Sequence, residues 1–142
     1  MAYTNKDADI IFDNRSIPDD EVSMYFDAAD VVCLPFKTIT TSGSVILAAT
    51  YGKPIVTPRL GAIQDIPREV GVLYDPSQKD AVLHALEQAL ESPSRRQAMA
   101  AASRRYADTL SWDKIAASTY AVYLKALKKR IDSNGSRANS TM

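Results

Sequence analysis

The stretch Leu34-Pro35-Phe36-Lys37-Thr38-Ile39-Thr40-Thr41-Ser42-Gly43-Ser44-Val45-Ile46-Leu47-Ala48-Ala49-Thr50-Tyr51-Gly52-Lys53-Pro54-Ile55-Val56 decides the fold. The apolar run from Val31 to Leu34 stops at Pro35, as a buried strand does. A small polar loop follows, and Ser44 stands in the N-cap position before the helix-compatible Val45-Ile46-Leu47-Ala48-Ala49. Gly52 supplies a C-terminal stop, and Ile55-Val56 opens the next strand. Strand, Gly/Ser/Thr loop, short helix and strand place free N–H groups and a positive helix end at the carboxyl edge of a parallel sheet. Such a place suits an anion, phosphate above all. The same residues also read as an ordinary strand-to-helix turn with a capping serine, and the residues alone leave both readings open.

Upstream, Asp9-Ile10-Ile11-Phe12 reads as a short strand ended by Asp13-Asn14-Arg15. Pro18 with Asp19, Asp20 and Glu21 opens a helix, and Val22, Tyr25, Phe26 and Ala29 recur at helical spacing. Downstream, Arg59-Leu60-Gly61-Ala62 is a loop, Asp65-Ile66-Pro67 a brief turn and Gly71-Val72-Leu73-Tyr74 a strand. Asp75-Pro76-Ser77 caps a helix over about 79–91, and Ser92-Pro93-Ser94 starts a second that ends near Tyr106. Ser111 caps a third, from Trp112 to about Arg130, with Trp112 expected to pack it onto the sheet. Alternating strands and helices, with strands apolar on both faces, predict a parallel α/β sheet with an exposed edge. The expected organisation is a polar N-terminal segment over 1–8, one domain over 9–130 and a disordered Ser/Asn/Gly-rich tail over 131–142.

Composition bounds what this domain does. A chain of 142 residues, 46% apolar and 24% charged, is a soluble globular length with room for one core. Its 17 basic and 17 acidic residues cancel, so no global field recruits nucleic acid or anionic membrane. No apolar run is long enough to span a bilayer and the N-terminus is polar, so the expected compartment is the cytoplasm. The cluster Lys125, Lys128, Lys129, Arg130 either complements a helix C-terminus or makes a peripheral membrane or partner-domain contact. The single Cys33 lies in an apolar run, as a structural thiol does, and His84 sits on a peripheral helix away from any chemistry. One histidine and no acid cluster with ligand spacing leave no metal site to expect.

Six passages, in order, resemble one family. Ile17-Pro18-Asp19-Asp20-Glu21 before Ala28-Ala29-Asp30-Val31-Val32-Cys33-Leu34-Pro35 is similar to the "vpdeel…aAD-vvvlPS" passage of group 1 (family 4) glycosyltransferases. Gly52-Lys53-Pro54-Ile55-Val56 resembles their "GkPVV", Gly61 to Ile66 their "GGipEvv", and Gly71 to Pro76 their "GlLvppgd". Ser92-Pro93-Ser94-Arg95-Arg96 and Ser111-Trp112-Asp113-Lys114-Ile115-Ala116 resemble the closing helices. The resemblance covers roughly residues 9 to 130. It implies part of the C-terminal, donor-binding domain of the GT-B architecture: a Rossmann-like parallel sheet of about four strands with helices on both faces.

By this resemblance the function is the donor-binding part of a retaining glycosyltransferase, using a UDP- or GDP-linked sugar and a glycan or lipid acceptor. No cofactor and no metal are implied. Thr41, Ser42, Gly43 and Ser44 are the candidate diphosphate contacts. Arg15, Ser16 and Ile17 match the position whose backbone meets the base, and Gly61 and Ala62 line the same crevice. Plainer roles stay open: Arg15 as a solvated loop cation, Gly61 as a turn glycine with positive φ. Two departures matter. The domain's opening strands, with their basic pair, and the acceptor-binding N-terminal domain have no counterpart, so a separately encoded half is an expected partner. The family's paired acids fall on Ile39 and Leu47, so no catalytic residue is assigned and the chain alone is expected to be inactive. The alternative is a non-catalytic nucleotide-sugar, phosphate-binding or interaction module.

Overall fold

In chain order the elements are β1 (Ala2–Asn5), β2 (Ile10–Asp13), α1 (Asp19–Ala28), β3 (Val32–Cys33), α2 (Gly43–Thr50) and β4 (Ile55–Pro58). Two 3-10 turns (Gly61–Asp65 and Arg68–Val70), β5 (Gly71–Tyr74), α3 (Ala81–Leu90), α4 (Pro93–Thr109) and α5 (Trp112–Ala138) follow. The structure is a computed structural model and describes residues 2–5, 10–39 and 42–138. Strands β3, β4 and β5 form a parallel sheet in that order, with Val32 opposite Ile55, and Ile55 opposite Gly71.

The α/β class and the parallel sheet match expectation, but the strand count differs. The strand expected at Asp9 to Phe12 pairs antiparallel with β1, Ile10 opposite Asn5, so among the described residues the parallel sheet has three strands. Its side chains explain the difference: Ile10, Ile11 and Phe12 are all exposed, so no sheet face draws them in. The strand meets its hydrogen-bonding needs with its nearest neighbour in sequence, as antiparallel pairs do.

Side-chain alternation along β4 divides the core in two. Ile55 faces Val45, Ala48 and Ala49 of α2, together with Ile63, Ile66, Val70 and Ala102. Val56 faces the other way, onto Val72, Ala85 and Ala89 of α3, and Met99 of α4. Helices therefore cover both faces. The small residues Ala48, Ala49, Ala85 and Ala89 are buried and let α2 and α3 approach the sheet closely. Helix α4 serves both cores and ties down the sheet's amino end. Its buried Ser103 Oγ lies 2.8 Å from the Lys53 carbonyl and 3.3 Å from that of Val70, where β4 and β5 begin.

Several expected boundaries are corrected. Helix α3 starts at Ala81, not near Lys79, because Asp80 adopts left-handed backbone (φ 55°) and caps without a side-chain bond. Asp75 instead closes its own turn, accepting from Ser77 N at 2.9 Å and Ser77 Oγ at 2.7 Å; these bonds hold its carboxyl below the usual range. Trp112 does not pack onto the sheet. It is 85% exposed, as is every described side chain of α5 through Arg130 to some degree. The stripe Ile115, Val122, Tyr123 makes the helix amphipathic, which requires a covering surface but does not say whose. Helix α5 runs on to Ala138, past the end expected near Arg130.

Candidate functional site

The loop after β3 leads into α2, and the first 3-10 turn follows β4. Both therefore lie at the carboxyl edge of the parallel sheet. Thr41 lies outside the described residues. The N-cap of α2 is Ser42, not Ser44: its Oγ accepts from Val45 N at 3.3 Å, and its extended backbone (φ −141°) precedes the first helical residue, Gly43. Ser44 falls inside the first turn, exposed. Ser42→Ala should therefore lower stability by about 1 kcal/mol, with Ser44→Ala near neutral, in paired urea titrations. An equal loss in both would place the cap elsewhere.

The amide groups of Gly43 and Ser44 have no intrahelical acceptor, as at any helix start, and the serine hydroxyls stand beside them. Ser42 and Ala62 line one small cavity of about 100 Å³, floored by Ile63, Ile66 and Tyr106. The structure thus brings two of the expected groups together, the loop serine and the turn after β4. Gly61 opens that turn at φ 50°, so a turn role for this glycine is established in its own right. Tyr106, delivered by α4, is the lining residue that sequence reasoning missed. Burial and the nearby Asp65 push its hydroxyl pKa up. Only its large aromatic side chain late in an amphipathic helix signalled it.

Arg15 is held within its own segment. Its Nη2 donates to Glu21 and to the Tyr25 hydroxyl (3.1 Å), and its Nε to Asp13 at 3.2 Å. Tyr25 in turn donates to Asp13. Donation to Glu21, then to Tyr25, favours the charged guanidinium, while Arg15 holds the Glu21 carboxyl below its usual range. This network joins the end of β2 to α1 and ion-pairs the Arg15 side chain, which remains solvent-exposed. Ser16 is exposed and Ile17 half-buried; among the described residues their backbone groups have no hydrogen-bond partner.

A wider groove of about 750 Å³ opens between the ends of β3 and β5, lined by Phe36, Lys37, Tyr74 and Gln78. Cys33 is half-buried against the second core, and burial pushes its thiol pKa up. It is therefore a packed, protonated thiol at neutral pH. His84 sits on the surface of α3, 3.2 Å from Glu87. Among the described residues no three His, Cys, Asp or Glu side chains cluster as metal ligands, and no helix is long and apolar enough to cross a membrane. The carboxyl edge offers amide N–H groups and hydroxyls, a donor set suited to an oxyanion.

Comparison with known proteins finds similar sequences and a similar fold. The chain is 30% identical over 126 residues to an MMP alpha-(1->4)-mannosyltransferase of Mycolicibacterium hassiacum, covering 86% of this chain and 31% of that protein. It is 31% identical over 108 residues to a D-inositol 3-phosphate glycosyltransferase of Corynebacterium urealyticum, covering 75% and 26%. The chain thus spans under a third of the curated relatives it matches. Its fold is similar to sucrose-phosphate synthase from Thermosynechococcus elongatus, with a TM-score of 0.67 at 24% identity over 80% of this chain and 29% of that one. Residues 3–92 match the family model described as Glycosyl transferases group 1. That match runs over more than half of the residues, through the sheet and its carboxyl-edge loops, and the chain belongs to the group 1 glycosyl transferases.

Proposed function

We propose that this chain is the donor-binding part of a retaining glycosyltransferase, gripping the diphosphate of a UDP- or GDP-linked sugar at the N-terminus of α2. The observation that supports this most is Ser42 capping a helix at the carboxyl edge of a parallel sheet, in one cavity with Ala62. Breaking the anomeric C–O bond leaves charge on the diphosphate. Amide donors fixed where that charge develops lower the barrier, by about 3 kcal/mol each. In this reading Gly43 and Ser44 present N–H groups, Thr41, Ser42 and Ser44 present hydroxyls, and Gly61 and Ala62 form the opposite wall. The unbonded backbone of Ser16 and Ile17, steadied by the Arg15 network, meets the base. An acceptor-binding half from elsewhere completes the enzyme, and cytoplasmic residence suits a nucleotide-sugar donor.

Apolar Ile39 and Leu47 favour one second reading, a nucleotide-binding module without chemistry. Ile39 packs against the first core and Leu47 is exposed, so neither offers a side-chain acceptor to a ribose or sugar hydroxyl. Titration of labelled protein with UDP and GDP, followed by NMR, tests the site that both readings share. Binding should be weak, on the order of millimolar, with shifts centred on residues 42–46 and 61–63 and extending to 15–17. Beyond its own turn of helix, a Cβ built at Gly43 meets nothing within 4 Å, so Gly43→Val should leave the fold intact and abolish the shifts. Shifts that survive that change, or none at saturating nucleotide, would leave the loop as an ordinary turn. Turnover on adding an acceptor-binding half separates the enzyme from the inert module.

A further inference from the structure

We propose that the concavity at the opposite, amino end of the sheet, ringed by Lys53, Arg96 and Arg104, binds a phosphate-bearing anion. It does not depend on the donor site. The cavity, about 280 Å³, lies between the residues that lead into β3 and β4 and one face of α4. Arg96, Ala100 and Arg104 recur at helical spacing on that face. Ala100 leaves the floor open, and the two arginines flank it roughly 12 Å apart along the axis. Lys53 closes the third side, its carbonyl fixed by the buried Ser103 hydroxyl.

The three cations have little to neutralise them. Lys53 Nζ reaches the Asp27 carbonyl at 3.4 Å, and Arg96 Nη1 the Leu90 carbonyl at 3.1 Å; both acceptors are uncharged. The one carboxylate in the ring, Asp30, is 80% exposed, and its oxygen is 4.0 Å from Arg96 Nε, a pair that solvent screens heavily. Arg104 has neither an ion pair nor a hydrogen bond among the described residues. Its side chain is nevertheless placed: it lies across Gly52, where a Cβ would come within 2.4 Å of Nε. Three cations lining one cavity repel one another, and an anion with several oxygens seated among them relieves that repulsion. A phosphate group has that geometry and charge; a single carboxylate does not. A soluble phosphorylated metabolite and a phospholipid headgroup share this chemistry.

Two probes separate those sources: inorganic pyrophosphate, followed by NMR, and phosphatidylcholine vesicles with or without phosphatidic acid, followed by co-sedimentation. Pyrophosphate should shift Gly52, Lys53 and the side-chain Nε of Arg96 and Arg104. Lys53→Gln and Arg104→Gln should each weaken binding roughly tenfold, the loss of one charge-assisted hydrogen bond. Arg68→Gln, an exposed cation on the second 3-10 turn, should change nothing. Circular dichroism identifies any variant that has lost its fold, and Arg96→Gln then replaces it. A response to pyrophosphate that the variants weaken assigns a soluble ligand, and one only to phosphatidic acid vesicles assigns a headgroup. Shifts confined to residues 42–46 belong to the donor loop and overturn the proposal. So do silence with both probes and variants that bind like the parent.

Discussion

Gly71→Ala is expected to destabilise the chain by about 3–5 kcal/mol in urea titrations followed by circular dichroism. Gly71 opens β5 directly opposite Ile55 on β4. A Cβ built there would lie 1.8 Å from the Ile55 carbonyl oxygen and 2.7 Å from its carbonyl carbon and nitrogen. Those are backbone atoms of the central strand, so no rotamer change relieves the overlap. Its own backbone is extended (φ 177°), so the cost is steric and not conformational. The strands must move apart, breaking the ladder that carries both cores. Domains of this size are stable by only about 5–15 kcal/mol, so one such change consumes much of the margin. Gly43→Ala is the control: its Cβ meets open space, and its effect should stay within about 0.5 kcal/mol. Equal effects at the two positions would refute the steric account.

The second large effect is an absence of turnover. The 142-residue chain on its own is expected to transfer no sugar from UDP- or GDP-linked donors above the rate in buffer. Holding donor and acceptor in reactive geometry is worth roughly 7–11 kcal/mol, and that contribution needs both to be bound. This chain spans 31% of the mannosyltransferase relative, and its candidate site has donors for a diphosphate but no carboxylate at Ile39 or Leu47. Radiolabelled donor with a mixed glycan and lipid acceptor pool gives the readout. Protein-dependent product above the buffer control would overturn the expectation.

Much of the fold was legible because its signals are local. Gly71 to Tyr74 reads as a strand and forms one; Ser92-Pro93 reads as a helix start, and Ser92 Oγ accepts from Arg95 N at 3.2 Å. The continuous apolar run at Val31 to Leu34 indicates a strand covered on two faces, and its residues divide between the two cores. What failed depended on partners. Ser42 and Ser44 both satisfy the composition rule for a cap, and only the residue at which helical backbone begins chooses between them. Amphipathicity in α5 and apolar side chains in β2 call for a covering surface without naming one. The candidate site was half legible: its loop and turn follow from spacing, but Tyr106 reaches them from a helix some sixty residues further along the chain. The basic ring at the amino end was invisible, because Lys53 and Arg104 become neighbours only when α4 packs against α2.

Helix α4 also determines how the molecule comes apart. Met99 and Ala102, less than one turn from each other, belong to opposite cores, and Ser103 between them and the strand ends holds both β4 and β5. The two faces of the sheet therefore cannot melt separately, and amides of β4, β5 and α4 share one opening event with the full unfolding free energy. Helix α5 and the β1–β2 ribbon, with exposed apolar side chains on each, stand outside that cooperative unit. Both can open and close while the sheet between α2 and α3 stays shut.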